Sequence, residues 1–240
     1  MRERLTGRDW IFIGVCAAIF AASLFVALRW FPSAFPEASI EFEYDRNASL
    51  PLAERVLQGE RIAVTGMKHT AMFDADDNAK VFLERTLGLK KANAEMRTNV
   101  HVWFWHHRWF TPLQEEEYGV DVAPTGELVA FTHHIPEERA LPTPELAAAR
   151  RIADDFLLRN RINTADLQLV AQSERKLPHR IQRIFTWDAK SVRPAGAPYR
   201  HTVIVDGNAI GQYEQRVKVP EQWQRTYDEL RSWNNLAGKI

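Results

Sequence analysis

"YGVDVAPTGELVAFTHHIPE", Tyr118 to Glu137, and "YRHTVIVDGNAIGQYEQRVKVPE", Tyr199 to Glu221, are two versions of one pattern. Each opens with a tyrosine, turns at a glycine eight residues later (Gly126, Gly207), runs through an aromatic (Phe131, Tyr213) and ends in Pro-Glu. Alternating β-branched and aromatic residues around a glycine turn read as an antiparallel hairpin. The second turn, Asp206-Gly207, suits positive φ. Two such hairpins, 81 residues apart from Tyr118 to Tyr199, predict a duplicated unit. A chance recurrence of strand-turn-strand text is the competing reading.

Working outward, each hairpin belongs to a longer block that reads as helix first and sheet afterwards. In the first block "DDNAKVFLERTLG" sets Ala79, Phe82, Leu83 and Leu87 on one face, between Asp76-Asp77 and Gly88. "VHVWFWHHRWF", Val100 to Phe110, "EEYGVDV" and "ELVAFTHHI" follow as strands. In the second block "TPELAAARRIADDFLLRN" aligns Leu146, Ala149, Ile152, Ala153, Phe156 and Leu157, with Thr143 as N-cap and Pro144 at the first helical position. Strands "DLQLVAQSE", "HRIQRIFTWDA", "YRHTVIVD" and "IGQYEQRVKV" come next. A last helix carries Trp223, Tyr227, Leu230 and Asn234 on one face and ends near Gly238. The expectation is an α+β protein: an N-terminal transmembrane helix, two helix-plus-antiparallel-sheet units and a C-terminal helix. Because one helix cannot cover a long sheet, the two units should bury their apolar faces in one body. The boundaries fall at 1–30 for the tip and anchor, 31–39 for a spacer, 40–140 for the first unit and 141–240 for the second.

The anchor is "IFIGVCAAIFAASLFVAL", Ile11 to Leu28, without a charged residue. As a helix rising about 1.5 Å per residue it nearly spans a hydrocarbon core of roughly 30 Å. Trp10 and Trp30 bracket it, and Arg2, Arg4 and Arg8 precede it, which keeps the N-terminus cytoplasmic and places the rest outside a bacterial inner membrane. A cleaved signal peptide is the alternative. Pro32 and Pro36 in "FPSAFPEAS" are expected to stop the helix and leave a spacer.

Composition narrows the partners. Thirty-one basic residues balance thirty-one acidic ones with no basic block, so no field attracts nucleic acid. The single cysteine, Cys16, lies in the anchor and excludes an intrachain disulfide framework or thiolate cage.

The passages "FDADDNAKVFLERTLGLKKAN", "VWFWHHRWFTPLQEEEYGVDVAPTGELVAFTHHIPEE" and "YRHTVIVDGNAIGQYEQRVKVPEQWQRTYDELRSWNN" resemble the N-terminal extracytoplasmic region of bacterial CPBP-family proteins, which are similar to type II CAAX prenyl proteases. The resemblance covers most of Phe73 to Asn235, and its units look like PepSY modules, found in proteins that restrain or assist proteases. It implies a non-catalytic sensor, substrate-gating or interaction domain beside an intramembrane metalloprotease, with a protein or peptide partner. The family's glutamate-pair and histidine motifs have no counterpart here: Glu115 to Glu117 and Glu137-Glu138 lack the arginine spacing. The alternative is the front portion of such a protease.

Two residue groups invite chemistry. His106-His107 and His133-His134 would form a zinc site if neighbouring strands brought them together. Adjacent strand residues point to opposite faces, so each pair supplies one ligand and a carboxylate such as Glu117 would be needed. Polar groups on a pleated sheet are the plainer reading, and no cofactor is expected. "HIPEE" falls short of H-x-x-E-H, and Pro136 would break its helix. Trp103, Trp105, Trp109 and Phe110 put aromatics on both faces of one strand, either as an interaction surface or as core under the helices. No P-loop, G-x-S-x-G or H-E-x-x-H occurs, so no nucleophile is nominated.

Overall fold

A computed structural model describes residues 6–35, 40 and 42–237. The chain divides into two compact units, Met1–Ile40 and Glu41–Ile240. In the first, α1 (Gly7–Ala34) is a 28-residue helix whose most apolar 18-residue window has mean hydropathy 2.7, long and apolar enough to cross a membrane or to serve as a signal sequence. The helix continues through Pro32, so the spacer expected from residue 31 begins later. A proline ring sets φ near the helical value, and placed in the last turn it forfeits a single backbone hydrogen bond. Arg2 and Arg4, Pro36 to Ser39 and Gly238, together with the side chain of Asn234, lie outside the described residues.

The second unit is an α+β body built on one eight-stranded antiparallel sheet, in the order β1-β2-β3-β4-β8-β7-β6-β5. The strands are β1 (Lys68–Ala75), β2 (Trp103–Phe110), β3 (Glu117–Val122), β4 (Leu128–His134), β5 (Leu167–Lys176), β6 (Ile181–Ala189), β7 (Tyr199–Asp206) and β8 (Ala209–Val217). Each half is a four-stranded meander, and the halves meet where β4 pairs with β8. There Phe131 lies directly opposite Tyr213. These are the two aromatics of the repeated hairpin, so each faces its own counterpart and a local twofold axis passes between them. Both rings pack on Phe156, with centroids at 5.7 and 5.4 Å.

Helices α2 (Arg46–Gly59) and α5 (Leu146–Arg159) cover one face of the sheet. Their inward residues, Ala53 and Leu57 with Ala149, Ala153, Phe156 and Leu157, join Val120, Val122, Phe131, Phe185, Val203 and Tyr213 in one core. The helix opening the first unit is therefore α2, not the expected segment after Asp76. That segment, α3 (Asp77–Leu87), follows β1 and pairs with α4 (Leu89–Thr98) as an insertion between β1 and β2. Its caps are as expected: the Asp76 side chain accepts from Ala79 N at 3.0 Å, and Gly88 takes φ 77°. α2 hides its character behind Pro51 and a polar surface, although Asp45 caps it by accepting from Asn47 N and Ala48 N. α5 starts at Leu146 after Glu145, so Thr143 is not its cap. The C-terminal helix, α6 (Glu221–Ala237), sets Trp223 edge-on to Phe82 of α3.

The insertion explains why two repeat spacings coexist. Ala53, Leu57, Arg61 and Ile62 recur as Ala153, Leu157, Arg161 and Ile162, 100 residues on. The hairpins recur after 81, and α3–α4 lengthens the first copy between these two marks.

The repeated glycines also have a common cause. Both turns need positive φ, 98° at Gly126 and 61° at Gly207. In each copy the chain approaching the first helix crosses the hairpin turn. A Cβ on Gly126 would sit 2.8 Å from Tyr44 Cε2, and one on Gly207 would sit 2.5 Å from Leu141 Cβ and 3.0 Å from Pro142 O. Gly207→Ala is expected to cost about 2 kcal/mol, from backbone strain plus overpacking. Urea unfolding checks it, and a loss within experimental error would show that the crossing segment is free to move aside.

Candidate functional site

Strand register decides the fate of the four histidines. His106 pairs with Asp121 and His107 with Val120, whereas His133 pairs with Tyr118 and His134 with Glu117. β3 thus separates the two pairs, and their equivalent-face members, His107 with His133 and His106 with His134, are also displaced along the strands. The zinc arrangement is not assembled, and among the described residues no group of three His, Cys, Asp or Glu could hold a metal ion. Each histidine except the exposed His134 has its own bond. On the uncovered face His106 Nδ1 lies 2.5 Å from Asp121 Oδ1, and this bond to the carboxylate raises its pKa. On the covered face His133 Nε2 donates to Glu116 at 2.8 Å. Glu116 also takes two bonds from Arg139 and one from Tyr118, and the Arg139 guanidinium pulls its carboxyl down to about 2. The carboxylate beside a histidine is therefore Glu116, while Glu117 pairs with Arg108.

His107, fully buried, joins a chain invisible in the sequence. Ser49 Oγ donates to Arg46 O at 3.1 Å, so His107 Nε2–H donates to Ser49 Oγ at 2.9 Å. Its Nδ1 is left to accept from His69 Nε2–H at 3.0 Å. The set has the residue types of an acyl-transfer triad, but Ser49 is 0% exposed and its proton is already committed to the helix. The Oγ reaches no substrate. Burial pushes His107 down to about 4, with neighbouring His69, His106 and Arg46 adding to the effect. His201, bonded to Tyr213 at 3.0 Å, is likewise pushed to about 4 by burial.

The tryptophans go to the core. Trp103 and Trp109 are buried, and half-buried Trp105 donates Nε1–H to Tyr44 O at 3.0 Å, because odd positions of β2 face the helices. This corrects their reading as an interaction surface. Phe110, on the other face, is half-buried with the Arg108 guanidinium 5.0 Å above its ring.

What the second unit presents outward is different. The uncovered sheet face carries Met72, Phe104, His106, Thr132, Gln212 and Glu214, all half-buried or exposed. The edge strand β5 is exposed along almost its whole length, Gln168 to Lys176, and pairs only through β6. Val170, at the break in the β5–β6 register, is 45% exposed.

A groove of about 540 Å³ opens elsewhere, between the C-terminal ends of α2 and α5 and the β3–β4 turn. Tyr44, Leu52, Val56 and Ile162 form its apolar lining, with Arg55, Arg159, Arg161 and Glu127 on its rim. Arg159 is engaged by Glu60 at 2.6 Å. Both helices stop in the same way: Arg61 and Arg161 take φ 60° and 61°, and Ile62 N and Ile162 N each reach back 2.9 Å to Leu57 O and Leu157 O. This is a Schellman stop with arginine where glycine is favoured. The repeated R-I after a Leu-rich helix was legible in the sequence as "GERI" and "RNRI".

No protein-family profile and no curated protein matches the chain. Among solved structures it is similar to the Bacillus megaterium YpeB C-terminal domain, with 10% sequence identity and a TM-score of 0.44. The likeness covers 72% of this chain and 64% of that one, so the chain spans less than two thirds of it. A likeness that loose carries no inference about activity.

Proposed function

We propose that the chain is a non-catalytic recognition module, tethered by α1 to a bacterial inner membrane with its sheet domain on the extracytoplasmic side. Its PepSY-like halves would engage an extended polypeptide and so gate or sense the substrate of an intramembrane protease, either a separate protein or a CPBP-type catalytic segment joined to it. The observation that carries the recognition is β5: a ten-residue edge strand with both faces open offers a row of solvated backbone groups with which another extended chain can pair. The protease association rests on the sequence resemblance, and the orientation on Arg8 ahead of the apolar run.

A photo-crosslinking residue at Val170, in the full chain within its membrane, tests this. The expected result is an adduct with an intramembrane protease segment, lost in Ser173→Pro, which blocks strand addition. An adduct equally strong from exposed Leu158 of α5, or none from Val170, would overturn the reading. An alkaline phosphatase fused to the C-terminus should be active; an inactive fusion at normal abundance would reverse the orientation.

A further inference from the structure

We infer that the groove between the ends of α2 and α5 binds the free C-terminus of a peptide whose last residue is apolar. The carboxylate goes to Arg55 and Arg161, and the last side chain lies on Leu52, Val56 and Ile162. This deepens the recognition role proposed above and rests on it.

Charge and shape carry the argument. A groove of about 540 Å³ lies within the range of roughly 300–1,000 Å³ typical of small-ligand sites. Of its three rim cations Arg159 is satisfied by Glu60, while Arg55 and Arg161 are exposed and have no anionic partner among the described residues. Arginines near a helix C-terminus do interact favourably with its carbonyl end. Arg61 ends α2 with a matching φ of 60° away from the groove, so the backbone of Arg161 belongs to the repeated helix stop, and what points to an anion is two arginines that line one groove without a carboxylate bonded to either among the described residues. A planar fork suits a carboxylate, which it can grip with two hydrogen bonds.

The lining then distinguishes among carboxylates. Glu127 lines the same groove and accepts from Thr125 Oγ1 at 2.5 Å, which leaves the carboxylate with further acceptor capacity. A peptide end brings amide N–H groups to such an acceptor. A fatty acid brings only methylenes, which would strip water from Glu127 without replacing it.

The test uses the full chain in nanodiscs and a fluorescent peptide ending in Ala-Leu, as free acid and as C-terminal amide, with decanoate as competitor. The free acid is expected to bind at least tenfold tighter than the amide, and decanoate should compete far less well than unlabelled peptide acid. Arg161→Gly should weaken the acid at least tenfold while leaving the melting temperature unchanged or higher, because glycine relieves the strained turn. Arg55→Ala should weaken it without a stability gain. Equal binding of acid and amide, absence of binding, full displacement by decanoate, or unchanged affinity in Arg161→Gly would each overturn the proposal. The Val170 adduct does not involve this groove, so failure here leaves that reading standing, and failure there removes the ground for both.

Discussion

Arg180→Met should unfold far more easily than the parent, with a loss of about 3–5 kcal/mol. The guanidinium is almost wholly enclosed. Its Nε–H donates to Asp206 Oδ1 at 2.7 Å, Nη1 to the carbonyls of Pro136, Glu137 and Arg139, and Nη2 to Ile135 O. Both partners of the ion pair are under 5% exposed, and Asp206 accepts a second bond from Gln182. Removing the cation strands a buried carboxylate and frees a loop whose carbonyls have turned inward. Breaking a buried pair from one side costs roughly 3–5 kcal/mol, equivalent to about 10 °C in Tm for a domain of this size. Arg180→Met combined with Asp206→Asn should recover part of the loss, since the charge goes and the loop carbonyls remain unmet. A single-variant loss below about 1 kcal/mol in urea unfolding would mean that the loop finds other donors. The same arginine explains why "HIPEE" is neither helix nor metal motif: its backbone is the acceptor set for Arg180, and Arg139 beyond it closes on Glu116.

The second large effect is acid lability between pH 6.5 and 4. His107 and His201 are held neutral by burial, each at about 4 against an ordinary 6.5. In that window the unfolded chain binds protons that the folded chain refuses, so stability is fully present above 6.5 and falls as the pH drops towards 4. At about 1.4 kcal/mol per pH unit, each histidine contributes roughly 3 kcal/mol of this loss. His69, His101 and His133 are lowered and act in the same sense. Asp121, raised by burial, opposes it at the acid edge. Glu116 loses its contribution as the pH falls from 4.5 to about 2, and His106, raised by Asp121, weakens the fold only as the pH climbs above 6.5. The charges that act on His107 are those of His69, of Arg46 and, from the opposite face of the strand, of His106; those that act on His201 are His101, Asp166 and Asp188. Unfolding free energies near pH 7 and near pH 4.5 should differ by several kcal/mol. In a His107→Gln, His201→Asn variant, whose amides reach the positions of His107 Nε2 and His201 Nδ1 that bond Ser49 and Tyr213, the difference should shrink by at least half. An unchanged pH slope in that variant would assign the acid response to other groups.

The sequence by itself determined the apolar helix, the α+β class and the duplicated hairpin, because these depend on local period and on turn chemistry. Residues 199–206 form β7 as read, and Gly207 turns where glycine alone is unstrained. It also contains the 100-residue recurrence of Ala53, Leu57, Arg61 and Ile62, masked because Pro51 inside α2 is a residue that disfavours helix and the α3–α4 insertion puts the helices out of step with the hairpins. Tertiary structure alone decided the rest. Which face of β2 is covered depends on where α2 and α5 land, and that sends Trp103 and Trp109 inward. Which residues meet across strands depends on register, which gave His106 to Asp121 and kept the two histidine pairs apart. The groove, the buried Arg180 clasp and the Ser49–His107–His69 chain each join residues 38 or more apart, or gather several elements at one point. No local pattern encodes such contacts, because they are fixed by the packing of two helices on one twisted sheet.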